Sequence, residues 1–475
     1  MLLRERFRRL KPLEDLEIDL VRASLAHPGA LPQPAEAALR WAVGLARLHT
    51  LPADGGDLHL DADLEPWREE LGRHLEAIGA GRSLDLRRAA ALAPHLAARA
   101  RAARDALLRR HADRLDPDTL DREVRHKRLV LALGGGGGVS YVYLGAFALL
   151  EEWGITPRLI AATSMGAILG LFRARTLAYD AGEIFGVVRS LTWGKLFRLL
   201  RTESRYGLPA ALRLYLRGPL GRWASREDGT PWTFRDLPIP MIVTLSGIRR
   251  GMLPRPLSFY EGLLDPRILA RRPWLLRARL EAVAQATAEL LARPQILRRI
   301  HVGYEDWTRD FDVLDTVGFS SAVPGAIHYD VLRPRDPMHD LLGRLFAEKE
   351  LFRLVDGGIT DNVPARAAWR YVQSGRLGGA RNALVLALDG FAPRLSTPIW
   401  LPLQQIADGN VRSSVRYAHL LRRFTRTLSP LELVPSVENV MQAVKRGRAE
   451  LAADMPLLAR LLEPLPPLEP LAAPA

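Results

Sequence analysis

An α/β domain entered through a helical segment is the fold class that this 475-residue sequence predicts, and three observations predict it. From Arg128 onward, short apolar runs alternate with stretches of helical periodicity, the pattern of strands and crossover helices around a mostly parallel sheet. Before about residue 125, Leu and Ala recur at three-to-four spacing instead, which predicts helices. Between the two regimes lies "LALGGGGGVSYVYLGAF", Leu131 to Phe147, with five consecutive glycines set between apolar runs. Glycine inside a strand or helix costs about 0.5–1 kcal/mol relative to alanine, so such a run marks backbone that side chains would obstruct.

In chain order, "PAEAALRWAVGLARLHT" and "SLDLRRAAALAPHLAARARAARDALLRRHADRL" are the strongest helical segments of an N-terminal extension, 1–125. Pro94 is expected to kink or divide the second. Leu92, Leu96, Ala100, Ala103 and Leu107 give that segment an apolar face, expected to pack on the main domain. "DPDTLDREVRHK", 116–127, reads as a linker. The main domain, 128–395, takes its strands from "RLVLAL", "RLIAAT", "IPMIVTL", "LFRLV" and "NALVLALD". An insertion rich in Arg and aromatics is expected at about 176–300, and 396–475 reads as a C-terminal helical region with a Pro-rich tail.

Composition narrows the function. An apolar fraction of 48% with 25% charged residues is ordinary for a globular enzyme, and the absence of Cys excludes a disulfide framework or a thiolate metal site. The net charge of +14 rests on 62 Arg and 5 Lys, a chain-wide bias more than a basic patch. No zinc-finger spacing or aromatic RNA-binding motif accompanies it, so no nucleic acid is expected. The charged start "MLLRERFRRLKPLEDLEIDL" lacks the apolar stretch of a secretory signal. Leu129 to Leu150 is 22 residues without a charge, yet its glycines argue against a membrane-spanning helix. A cytoplasmic protein, peripheral to a membrane at most, is the expectation.

Two bends concentrate the chemistry. The glycines follow a strand and precede "YVYLGAFALLEEWG", a helix ending at Gly154, so bare N–H groups and a positive helix end can cradle a phosphate or a developing oxyanion. The next strand-to-helix bend, "RLIAATSMGAILGLF", sets Ser164 in A-T-S-M-G where a nucleophile elbow shows G-x-S-x-G. Ala162 and Gly166 are small enough for a tight crossing, although a serine capping a helix N-terminus explains the bend equally well. Downstream stand "FSSAVPGAIHY", 319–329, and "LFRLVDGGITDNVPARAAW", 351–369, the latter ending a strand in Asp356, Gly357 and Gly358.

In the order glycine-rich loop, serine elbow, S-A-x-P-G segment, D-G-G turn with N-x-P and final strand, residues 128–395 resemble the patatin-like phospholipases, bacterial lipid acyl hydrolases among them. The resemblance implies a three-layer α/β/α fold and a Ser–Asp dyad without a triad histidine. Carried over, Ser164 is the nucleophile and Asp356 its base, the two expected to end adjacent strands of one sheet. Gly135, Gly136, Gly137 and Gly138 supply oxyanion N–H groups, and Gly166, Gly357 and Gly358 support the motifs. The substrate implied is a phospholipid or other acyl-ester lipid, with no cofactor. In the family the loop usually continues as G-x-[KR]-G, where this chain has Val139 and Ser140. If those changes weaken the oxyanion hole, restoring the charge raises turnover; if Val139 packs at the strand–helix junction, a charge there disrupts the fold. A catalytically impaired scaffold that binds lipid is the alternative.

Other classes fit less well. A Ser-His-Asp hydrolase of the α/β type needs a histidine beyond the acid; only His419 lies there, in "VRYAHLLRRF", where it reads as an ordinary helix position, and His328 reads as a packing or capping residue. A nucleotide-binding loop would end in G-K-[ST]. No metal is expected: Asp310, Asp312 and Asp315 in "DFDVLD" lack the Gly and distal Glu of a calcium loop and read as a solvated turn.

Overall fold

The computed structural model describes residues 3–79, 84–199, 204–252, 256, 259, 294–392 and 401–469. Residues 260–293 of the expected insertion and 470–475 of the tail lie outside the described residues. The chain forms two compact units, Met1–Leu129 with Trp369–Leu384 and Ala453–Ala475, and Val130–Ala368 with Val385–Ala452.

In the first unit, α1 (Leu3–Ala26), α2 (Gln33–Ala46), α3 (Asp61–Ala77), α4 (Leu86–Arg110) and α5 (Pro117–Arg125) surround a hairpin, β1 (Thr50–Ala53) and β2 (Gly56–His59). The hairpin departs from the helical reading of this region; its signal is the Asp54-Gly55 turn, with Gly55 at φ +79°. Helix α4 runs undivided through Pro94, and Leu96, Ala100 and Leu107 enter a core with Trp41, Leu45 and Leu71. The apolar face therefore has its partner within its own unit. The expected linker is α5: Asp116 accepts from Thr119 N at 2.9 Å, Pro117 opens the helix, and Leu120 and Val124 are buried one turn apart.

The fold is α/β around a parallel-rich central sheet, as the alternation of segments predicts. Its strands are β3 (Arg128–Leu133), β4 (Leu159–Thr163), β7 (Met241–Arg249), β8 (Leu297–Val302), β10 (Leu351–Val355), β11 (Ala383–Asp389) and β12 (Leu420–Arg423). Pairings β3–β4, β4–β7 and β11–β12 are parallel. All residues of β4 and β11 are buried, which is why these strands read as unbroken apolar runs. A smaller sheet joins β5 (Phe197–Leu199), β6 (Ala210–Leu214) and β9 (Gly325–His328). Strand β7 and the first part of β8 fall within the 176–300 span. No described helix is long and apolar enough to cross a membrane.

The expectation that Ser164 and Asp356 end adjacent strands is corrected by the register. Strand β8 occupies one edge of β7 from Val243 to Ile248, antiparallel. The other edge is therefore shared end to end: β4 covers Met241 to Thr244 and runs parallel, while β10 covers Ser246 to Arg249 and runs antiparallel. The strands approach each other head on, and their C-terminal ends meet near the middle of β7. Sequence could not show this, because "LFRLV" looks the same in either direction.

The aspartates of "DFDVLD" are also corrected. Asp310 is exposed, but Asp312 and Asp315 are buried beside Arg217 and Arg333. Asp312 caps the helix Val313–Ser320, accepting from Leu314 N at 2.8 Å and Asp315 N at 3.1 Å. Burial and the neighbouring Asp315 carboxylate push its carboxyl above the usual range.

The helix leaving the glycine loop, α6 (Val142–Glu152), packs against the helix Val437–Ala452 through glycines. A Cβ on Gly145 would lie 2.0 Å from Val444 O, and one on Gly447 would lie 1.9 Å from Val142 O. Gly145→Ala is expected to destabilise by about 1–3 kcal/mol through this overpacking, read as a lowered Tm in thermal unfolding followed by circular dichroism.

Candidate active site

Ser164 sits between β4 and α7 (Met165–Ala174) at φ +53° and ψ −131°, a positive-φ conformation outside the left-handed helical region that residues other than glycine seldom adopt. The bend is held from several sides. Ser164 N donates to Ser320 Oγ at 2.8 Å, and that hydroxyl donates to Thr244 O on β7 at 2.7 Å. Gly166 faces Gly134 O at a separation that would put a Cβ 2.4 Å away. Strain of this kind persists where surrounding structure fixes it. The hydroxyl does not cap α7; it donates to Asp356 Oδ2 at 2.6 Å.

Asp356 is fixed as tightly. Its N–H donates to Ala322 O at 2.8 Å, the next N–H, of Gly357, donates to Ser320 O at 3.2 Å, and Gly358 N donates to Asp356 Oδ1 at 2.7 Å. Glycine is required at 357 because a Cβ there would lie 2.0 Å from Thr244 O. Burial pushes the Asp356 carboxyl up to about 6, against the two hydrogen bonds that favour its ionised form. No histidine lies between serine and aspartate. His328 is buried, its Nδ1 3.0 Å from Leu208 O. His419 departs from the helical reading: it precedes β12, and its Nδ1 accepts from Val385 N at 2.8 Å.

The four loop glycines separate into two pairs. Gly135 N donates to Asn362 Oδ1 at 3.2 Å, and Gly138 N donates to Pro430 O at 3.1 Å. Gly136 and Gly137 are at φ +143° and +61°, line the same cavity as Ser164 and Asp356, and keep N–H groups with no protein partner among the described residues. Val139 is 3% exposed, with its Cγ2 where a Cβ on Gly136 or Gly390 would come within 2.5 or 3.3 Å. Ser140 is fully buried.

The cavity above these residues holds about 370 Å³ and is lined almost entirely by aliphatic and aromatic side chains. Much of its wall comes from α8 (Ala181–Ser190), β5 and β6, through Ile184, Val187, Val188, Phe197, Leu212 and Leu214. From sequence that region reads only as an insertion rich in Arg and aromatics. Two more contributors went unassigned, Ser320 and Asn362, although both lie within the quoted motif segments. Among the described residues, no His or Glu lines the cavity. Among the described residues, the side chains close enough to share a metal ion are Glu70, His74 and His95 of the first unit, where Glu70 already receives Arg99 at 2.6 Å.

Comparison with known proteins bears on this geometry. The family model for patatin-like phospholipases matches residues 131–369, just over half of the chain and the span that carries every residue just described around Ser164 and Asp356 except the Pro430 and Gly390 contacts. This chain belongs to the patatin-like phospholipase family. Curated relatives include an uncharacterized NTE family protein of Mycobacterium bovis and others of that name from two strains of Mycobacterium tuberculosis. Each is 31% identical over 144 residues, which is 30% of this chain and 36% of the relative, so the match spans about a third of their length.

Within this patatin-like chain, the packing of Val139 decides between the two outcomes open from sequence. Val139→Arg is expected to bury an unpaired guanidinium and lower the Tm measurably. An unchanged Tm in differential scanning calorimetry, with raised turnover of a short-chain ester, would show instead that the loop accepts the charge.

Proposed function

We propose that this chain is a serine lipid acyl hydrolase, in which Ser164 attacks the acyl ester and Asp356 handles its proton. The observation that carries the proposal is the 2.6 Å hydrogen bond from Ser164 Oγ to Asp356 Oδ2 at the polar end of an apolar cavity. A serine hydroxyl is a weak nucleophile until a neighbouring base takes its proton, and a carboxylate whose pKa is raised by burial is a stronger base than one in water. As Oγ bonds to the acyl carbon, the proton passes to Asp356 and the carbonyl oxygen becomes an oxyanion received by the N–H groups of Gly136 and Gly137. Collapse breaks the ester bond, and the leaving oxygen takes the proton from Asp356. Water then repeats the sequence: its proton goes to Asp356, its oxygen to the acyl carbon, and Ser164 Oγ leaves reprotonated with release of the fatty acid. The apolar wall suits the acyl chain.

A fluorophosphonate ester should label Ser164, located by mass spectrometry, and Ser164→Ala should remove both label and ester turnover. Asp356→Asn should lower kcat by about 10²–10⁴-fold with the fold intact, because an amide cannot accept the proton. Wild-type kcat/KM should rise with pH through about 6 as Asp356 ionises. The linkage has the opposite sign for stability. A carboxyl raised above its unfolded value favours the folded state at low pH, and that contribution is lost between its ordinary value and about 6. Asp356→Asn should therefore flatten that part of the stability–pH curve. Absence of labelling together with saturable fatty-acid binding would favour the lipid-binding alternative.

The mouth of the cavity supports a lipid–water interface as its working environment. Three of its lining side chains are large, apolar and exposed: Trp193 at 47%, Val323 at 37% and Leu431 at 63%. Arg189, Lys195 and Arg198 are exposed beside Trp193 along the chain, a combination that suits an anionic membrane surface. In an Asp356→Asn background, Trp193→Ser with Leu431→Ser should weaken binding to phosphatidylglycerol vesicles at least about tenfold in co-sedimentation, and added salt should weaken it further. Unchanged partitioning would place the interface elsewhere.

A further inference from the structure

Asn362 follows the short helical turn Gly358–Asp361, is 4% exposed, and lines the cavity that holds Ser164 and Asp356. Its backbone O accepts from Gly135 N at 3.4 Å, and its Oδ1 accepts from the same N–H at 3.2 Å. A backbone N–H can only donate, so this contact fixes which end of the amide is oxygen and leaves the NH2 group as Nδ2. Nδ2 is buried and has no hydrogen-bond partner. A buried donor left unmet is unfavourable, and native structures contain few of them without a reason.

The surroundings indicate what that donor is for. A Cβ on Gly135 would lie 2.7 Å from Ser164 Cβ and 3.1 Å from Asn362 Oδ1. A Cβ on Gly358 would lie 2.9 Å from Asn362 Oδ1 and 2.9 Å from Asp356 Oδ1. The amide oxygen thus lies against Gly135 and Gly358, the two glycines that border Ser164 and Asp356. Bracing Gly135 requires only the acceptor oxygen, which a carboxylate would supply as well. What an amide adds at this place is a neutral donor next to a negative charge.

We propose that Asn362 is a catalytic residue, a side-chain member of the oxyanion hole whose Nδ2 donates to the acyl oxygen beside the N–H groups of Gly136 and Gly137. This rests on the hydrolase reading. In the free protein the donor waits unpaired; in the tetrahedral intermediate it meets a full negative charge, so its contribution is larger in the transition state than in the bound ester. It accordingly acts on kcat and leaves KM nearly untouched.

Two variants separate this role from a structural one. Asn362→Asp keeps the side-chain oxygen for Gly135 and loses the donor; Asn362→Ala loses both side-chain groups, leaves Gly135 only the backbone carbonyl, and brings no charge. A loss shared by the two stems neither from the missing brace nor from an added charge. Each is compared with wild type in Tm, in kcat and KM for a soluble short-chain ester, and in affinity for an alkyl trifluoromethyl ketone, which adds to Ser164 as a hemiketal oxyanion. The matching secondary alcohol serves as a neutral control. The proposal expects a nearly unchanged Tm, a fall in kcat of about a hundredfold or more in both variants, KM within a few-fold, and ketone affinity falling with kcat while alcohol affinity holds. Wild-type kcat or ketone affinity in Asn362→Asp would overturn it and leave Asn362 a brace. Should Asn362→Ala fail to fold, Asn362→Asp alone decides, on the ketone-to-alcohol affinity ratio. A wild-type protein that neither turns over ester nor binds the ketone would overturn the hydrolase reading, and this inference with it.

Discussion

One edge of β7, between Thr244 and Ser246, receives two strands from opposite directions, and most of what surrounds Ser164 depends on that meeting. A parallel sheet gathers the C-terminal ends of its strands on one side, where loops can be built into a site. Here the second of the two interacting side chains arrives on β10, which runs against that direction. Because β4 and β10 share an edge end to end, their last residues face each other across a gap of about one residue of β7. The Ser164–Asp356 hydrogen bond spans it.

So close a meeting leaves little room, and the sequence meets it with small residues and shared partners. Thr244 O is approached by Gly357, where no side chain fits, and receives the hydroxyl of Ser320, which in turn receives the backbone of Ser164. The backbone of 320–322 also accepts from Asp356 and Gly357. A single segment therefore holds both bends, and it leaves a helix whose start is capped by the buried Asp312. Acidic residues that read as a solvated turn are an anchor for the frame behind the site.

Electrostatics follow from the same crowding. A carboxylate so enclosed, facing an apolar cavity, is less comfortable ionised than in water, and its pKa rises. The rise is obtained from burial alone. The glycine loop shows the same economy: two of its N–H groups are spent on holding the loop, to Asn362 and Pro430, while Gly136 and Gly137 line the cavity and their N–H groups have no protein partner among the described residues.

By itself the sequence determined five of the seven strands of the central sheet, the bend at Ser164, the turn at Asp356 and the family, because each is written locally. "RLVLAL" and "LFRLV" are strands residue for residue, and a glycine run or a D-G-G turn states a backbone requirement in place. What only the tertiary structure decided is relational. The antiparallel course of β10 depends on pairing with β7, and a short apolar run carries no direction. The hairpin at Thr50–His59 and helix α5 were hidden under polar sequence whose local signals, a D-G turn and an N-cap before Pro, take their meaning from the core they face. The commitments of Gly135 and Gly138 come from Asn362 and Pro430, more than two hundred residues away, and the enclosure of Asp356 likewise comes from segments distant in the chain, around Ser164 and Ser320. Solvent exclusion is a property of packed neighbours, and no window of sequence contains them.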